Sequence, residues 1–173
     1  VLTECSHEGL HAVFDRFKEI GDRKKFVYDD DLTTLVGDRI SEVSEIWSLD
    51  YILVTSGNQT VPTATIRLKK ARGKSGGKEQ VIQDAGTGQG PVDAALKTID
   101  RMTGKQGKLL DYQLRSVTQG KDAIGEVTIK VDFGNSKILT GKGSSTDVIE
   151  ASARAYLNAV NRALVQEKNK ITT

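Results

Sequence analysis

Thr65-Ile66-Arg67-Leu68 and Thr128-Ile129-Lys130-Val131 are two copies of one pattern. In each, a polar or charged residue alternates with an aliphatic one, the period-two signature of a half-buried strand. Each copy also stands inside a similar run of elements. Around the first, strands are expected over Tyr51 to Ser56, Thr63 to Lys70 and Lys78 to Ala85, then a glycine-rich turn at Gly86-Thr87-Gly88 and a helix from Pro91 to about Met102. Around the second, strands are expected over Leu109 to Val117, Gly125 to Phe133 and Ser136 to Gly141, then a turn containing Gly141-Lys142-Gly143 and a helix from Asp147 to about Leu164. Ala94-Ala95 in the first helix is echoed by Ala151 and Ala153 in the second. The reading is an α+β fold of two duplicated β-β-β-α units. Neither unit could bury its apolar face alone, so the two are expected to pack together.

Working outward, the expected organisation is a small helical linker subdomain over residues 1–46, the first unit over 47–105, the second over 106–165 and a polar, flexible tail over 166–173. In the first segment Leu10, Val13, Phe14, Phe17 and Ile20 recur at helical spacing and share one face. Asp29, Asp30 and Asp31 can cap a second short helix whose apolar face is Leu32, Leu35, Val36 and Ile40. Lys69 to Lys78, with Gly73, Gly76 and Gly77, reads as a long hairpin tip.

A composition of 37% hydrophobic and 28% charged residues is that of a globular protein, and a net charge of +2 implies no strongly charged partner such as nucleic acid. No apolar run approaches the ~20 residues that span a bilayer. The single cysteine, Cys5, cannot form an internal disulfide, which fits a reducing, cytoplasmic location. The chain begins at Val1 and its one methionine is Met102, so it reads as a piece of a longer protein.

Three motifs bear on function. His7-Glu8-Gly9-Leu10-His11 matches the H-E-x-x-H zinc pattern, but these are the only two histidines and Gly9 weakens the helix the motif needs. Gly73-Lys74-Ser75 imitates the end of a phosphate-binding loop, but Leu68 stands where that loop's first glycine belongs. Gly86-Thr87-Gly88-Gln89-Gly90-Pro91 is more informative. It joins a strand to a helix whose first position suits Pro91, and the free N–H groups of such a helix start favour a small anion such as a carboxylate.

The order and spacing of several stretches over about residues 47 to 164 resemble the C-terminal domain of 2-isopropylmalate synthases. Those stretches are Val54-Thr55-Ser56-Gly57, Pro62-Thr63-Ala64-Thr65, Thr87-Gly88-Gln89-Gly90-Pro91-Val92-Asp93-Ala94-Ala95, Leu110-Asp111-Tyr112, Val117-Thr118-Gln119-Gly120-Lys121-Asp122-Ala123, Ser145-Thr146-Asp147-Val148-Ile149-Glu150-Ala151-Ser152 and Tyr156-Leu157-Asn158-Ala159-Val160-Asn161-Arg162. Phe14-Asp15-Arg16-Phe17-Lys18-Glu19 and Lys24-Lys25 with Asp31-Leu32 resemble the helical linker that precedes that domain.

The resemblance implies a regulatory and dimerisation domain that binds leucine as a feedback inhibitor. The parent transferase condenses acetyl-CoA with 2-oxoisovalerate, the first step of leucine biosynthesis, on a divalent metal in a catalytic barrel. That barrel is absent here, so this chain is expected to hold no cofactor or metal of its own and to be inactive alone. Its expected partners are a second copy of itself, the effector leucine and the barrel of the same polypeptide, with no nucleic acid and no membrane. Carried over by motif, Gly88, Gly90, Pro91, Val92 and Asp93 would form one wall of the leucine site and Leu109, Tyr112 and Ser116 another, with Ala123, Gly125 and Thr146 close by. Amide donors would meet the leucine carboxylate and Asp93 its ammonium. Gln89 and the lengthened 69–78 hairpin depart from the family pattern. The alternatives are an isoleucine-binding domain of a citramalate synthase, and a stand-alone amino-acid-binding module.

Overall fold

A computed structural model describes residues 45–71, 80–116, 123–134 and 138–171, all within the second of two compact units, Ser44–Thr173. The expected early helices, the H-E-x-x-H motif, the hairpin tip and most of the Val117–Ala123 stretch lie outside the described residues. The elements are β1 (Trp47–Gly57), β2 (Thr60–Lys70), β3 (Gln80–Thr87), α1 (Pro91–Thr103), β4 (Lys108–Ser116), β5 (Gly125–Asp132), β6 (Ile138–Ser145) and α2 (Val148–Ile171). They form two antiparallel three-stranded sheets, in the orders β1-β2-β3 and β4-β5-β6, each followed by its helix. This is the duplicated β-β-β-α architecture read from the sequence.

The register shows how faithful the duplication is. Ile66 lies opposite Ile52 on one side and Asp84 on the other, and Ile129 lies opposite Tyr112 and Gly141. The first strand of each sheet slips by one residue at the same place, past Leu49 in β1 and past Leu109 in β4. The central strands supply the core rows Ala64, Ile66, Leu68 and Val127, Ile129, Val131, as period-two alternation requires. Ala94, Ala95 and Ile99 of α1, and Ala151, Ala155, Tyr156, Ala159 and Val160 of α2, fill the space above them. The two helices touch each other, α1 packs on β2 and β3, and α2 packs on β5 and β6 and reaches across to β1.

Two expectations need correction. Gly141-Lys142-Gly143 is not a turn: β6 continues through it to Ser145. A Cβ on Gly141 would come within 2.0 Å of Ala155 O, and one on Gly143 within 2.4 Å of Ala151 O. These glycines let the helix backbone lie directly on the strand. By register the counterpart of Gly143 is Gly86, opposite Ala64 as Gly143 is opposite Val127, so the glycine echo is displaced from the alignment that sequence suggests. The second correction is the end of α2, which runs past Leu164 to Ile171 through residues expected to fray. Lys105 forms an ion pair with Glu167 there.

Three side chains lock the units together. Asn161 of α2 accepts from Trp47 N at 2.9 Å and donates to Trp47 O at 2.7 Å, which clips the start of β1 to the second unit's helix. Tyr156 of α2 donates its hydroxyl proton to Asp100 of α1 and accepts from Gly107 N at 3.1 Å. Burial pushes the Asp100 carboxyl up to about 6, against the opposing pull of the Tyr156 hydroxyl and the Gly107 amide. Folding therefore favours the protonated acid, so this group's contribution is most favourable below its unfolded value and is lost as pH rises from about 4 to about 6. In urea denaturation compared across that window, Asp100→Asn should remove this decline. Parallel pH profiles for the two proteins would contradict the assignment.

Candidate functional site

The two helices begin differently although their units repeat. At α2 the N-cap is Asp147, whose Oδ1 accepts from Ile149 N at 2.7 Å and Glu150 N at 3.2 Å. This carboxylate occupies the donors of the first turn. At α1 the N-cap is Gly90, with no side-chain cap and Pro91 at the first helical position. The amides of Val92 and Asp93 correspond to those that Asp147 satisfies, and α1 offers them no carbonyl. Gly90 is extended, with φ −154°, and a Cβ there would meet nothing within 4 Å. This helix start is open and carries the positive end of the helix dipole.

Gly88 is different. A Cβ there would lie 2.4 Å from Ala94 N and 2.7 Å from Asp93 Oδ2, and its own N–H donates to Pro62 O at 3.0 Å. Asp93 is folded back over the turn, where its Oδ2 accepts from Gln89 N and from Lys97 Nζ, both at 2.8 Å. The Lys97 ammonium first, and then the Gln89 amide, hold this carboxyl below the usual carboxylate range.

The second group of expected residues lies on the other unit. Ser116 is opposite Gly125, and Gly125 is opposite Ser145. Chain continuity therefore puts Ala123, two residues before Gly125, and Thr146, next to Ser145, at this same end of the second sheet, beside the start of α2. Leu109 is at the far end of β4, opposite Val131. Leu109, Tyr112 and Leu114 stand in one row with the core residues Val131, Ile129 and Val127, yet they are 39%, 37% and 49% exposed. Their counterparts in the first unit, Leu49, Ile52 and Val54, pack against the core. The difference follows from the helices: α2 reaches β1, whereas the shorter α1 packs on β2 and β3 and leaves β4 without an equivalent cover.

Of the expected site residues, the structure gathers Gly88 to Asp93 at one helix start and Ser116, Ala123, Gly125 and Thr146 at one sheet end, with Tyr112 near the latter. Leu114, Val148 and Ser152 join this second group without having been singled out in the sequence. A Cβ on Gly125 would lie 3.4 Å from Leu114 and 3.6 Å from Val148, and the Tyr112 hydroxyl is 2.8 Å from Ser152 Oγ. A signal for Val148 and Ser152 did exist, in their helical spacing from Ala151 and Ala155, but that spacing reads equally well as plain core.

The described residues form a duplicated β-β-β-α domain with an open helix start and an uncovered apolar edge row, the class of fold to which association domains belong. The chain belongs to the family described as LeuA allosteric (dimerisation) domain, which it matches over residues 26–164. It is 52% identical over 162 residues to a 2-isopropylmalate synthase of Methylacidiphilum infernorum, covering 94% of this chain and 31% of that protein. It is 45% identical over 159 residues to the 2-isopropylmalate synthase of Ruminiclostridium cellulolyticum, covering 92% and 30%, and 44% identical over 168 residues to that of Gloeothece citriformis, covering 95% and 30%. The chain thus spans about 30% of the length of these relatives. No helix among the described residues is long and apolar enough to cross a membrane.

The two glycines of the turn give opposite expectations. Gly88→Ala must displace helix backbone and should cost about 1–3 kcal/mol in denaturant unfolding, whereas Gly90→Ala, which meets open space and changes only the N-cap preference, should cost at most about 1 kcal/mol. Equal losses at both positions would mean the turn is not built this way.

Proposed function

We propose that this chain is the allosteric part of a 2-isopropylmalate synthase, where it pairs two subunits and binds leucine as a feedback inhibitor. The condensation of acetyl-CoA with 2-oxoisovalerate, and the divalent metal that serves it, belong to a catalytic barrel elsewhere in the same polypeptide, and this chain alone is inactive. The observation that carries the reading is the divergence of the two repeats: a helix start left open at Gly90 where its counterpart is closed by Asp147, and an apolar row left bare on β4 where its counterpart on β1 is covered. An open helix start accepts the carboxylate of an amino acid. A bare aliphatic row accepts a hydrocarbon side chain and a second protomer. The effector site is assigned to Gly88, Gly90, Pro91, Val92 and Asp93 at the helix start, and to Leu109, Tyr112, Ser116, Ala123, Gly125 and Thr146 on the second unit. The two walls meet across the dimer.

The repeat itself supplies the test. Aspartate at position 90 would copy Asp147 and put the protein's own carboxylate on the Val92 and Asp93 amides, where the effector's must sit. Gly90 has an ordinary extended backbone and open space, so the Gly90→Asp chain should fold and melt within a few degrees of wild type. Leucine at a hundredfold excess over Kd stabilises a binding-competent fold by about 2.7 kcal/mol. Wild-type melting should rise by several degrees with leucine, and that of Gly90→Asp should not. A full leucine-dependent rise in the variant would remove the helix start from the site. A wild-type rise with isoleucine and none with leucine would replace leucine by isoleucine as the effector.

A further inference from the structure

The second unit has a polar pair where the first has an apolar one. Ile52 and Tyr112 occupy the same register, opposite Ile66 and Ile129. On the helices, a Cβ at Gly86 would meet Thr98 and one at the equivalent Gly143 would meet Ala155, which makes Ala95 the counterpart of Ser152. Ile52 packs on the core and Ala95 is buried within it. In their place the Tyr112 hydroxyl lies 2.8 Å from Ser152 Oγ, while Ser152 Oγ lies 2.6 Å from Val148 O.

The proton count fixes the direction of this chain. A serine hydroxyl has one proton, and a carbonyl oxygen only accepts. The Ser152 proton is on Val148 O, so Tyr112 must donate to Ser152. The phenol proton is thereby held on a serine that is 1% exposed, while Tyr112 as a whole is 37% exposed. With its proton so committed, the Tyr112 oxygen keeps only lone pairs for any further partner, an acceptor with no proton to offer. Asp93, the acid that sequence reasoning assigns to an effector's ammonium, already accepts from Gln89 and Lys97.

We propose that Ser152 is a positioning residue of the effector site: by taking the proton of Tyr112 it fixes that hydroxyl as an acceptor, so that the site selects a ligand bearing an amine over the same carbon skeleton without one. This rests on the effector reading above and adds to it the group that recognises the amine. A neutral hydroxyl free to rotate would serve a donor or an acceptor equally. One locked by Ser152 serves only a donor, and a hydrogen bond from a charged amine is the strong kind.

Calorimetric titration of the 173-residue chain with L-leucine and with 4-methylpentanoate, which lacks only the amine, reads this selection as a ratio of affinities. Wild type should bind leucine about tenfold or more tightly than 4-methylpentanoate. Tyr112→Phe should bring the ratio to within about threefold, and Ser152→Ala should narrow it in the same direction. A purely structural role would weaken both ligands together and leave the ratio unchanged, and that result overturns the proposal. So does equal binding of the two ligands by wild type. Tyr112 lies on a partly exposed edge strand, so Tyr112→Phe decides the matter alone if Ser152→Ala does not fold. Failure of wild type to bind leucine at all would instead overturn the effector reading beneath it.

Discussion

The backbone of α2 lies against β6 at a distance that only glycine permits, and most of the architecture follows from this contact. With Gly141 and Gly143 beneath it and Ala151, Ala155 and Ala159 facing them, the helix sits low on its sheet. From there it extends to the neighbouring unit, where Asn161 takes both main-chain polar groups of Trp47. Pairing buried amides in this way avoids the cost of leaving them unsatisfied. A side chain at either glycine would lift α2 off the strand, and the Trp47 clip, the Tyr156–Asp100 junction and the cover over β1 would be lost together.

The same contact makes the duplicated fold asymmetric. A single long helix covers its own sheet and the first strand of the other, while α1 covers only its own, so an internal symmetry of two units ends with one row satisfied and one row bare. In the same way, one helix start is closed by Asp147 and the other is left open at Gly90. A duplication in which both copies were equally closed would be a stable domain with nothing left to bind. Three departures from the repeat (Gly90 for Asp147, Tyr112 for Ile52, Ser152 for Ala95) lie at the open helix start or beside the bare row, whereas Gly141, which stands where the first sheet has Asp84, is one the fold itself requires.

The architecture was legible in the sequence because period-two alternation at Thr65–Leu68 and Thr128–Val131 has few other readings, and because the two copies vouch for one another. The turn at Gly86–Pro91 was legible for the same reason. Gly141-Lys142-Gly143 was misread because glycine marks both sharp turns and close backbone approach, and only the small residues of a helix later in the chain distinguish the two. The end of α2 was misplaced because a polar stretch can continue a helix as one exposed face, here tied back by Lys105. Of the candidate site, only the local part was legible. The helix start showed itself through Pro91 and its glycines, whereas the Tyr112–Ser152–Val148 chain joins residues far apart in sequence and leaves no local mark.

If the bare row on β4 is closed by a second copy of the chain, association must depend on those side chains and not on the covered face of β1. Sedimentation equilibrium of the 18.8 kDa chain at micromolar concentration with leucine present measures this directly. The account requires about twice that mass for wild type, and 18.8 kDa for Leu114→Glu, whose side chain at this half-exposed position can turn its carboxylate to solvent in the folded monomer. A wild-type mass of 18.8 kDa under these conditions, or an undiminished dimer in the variant, would contradict it.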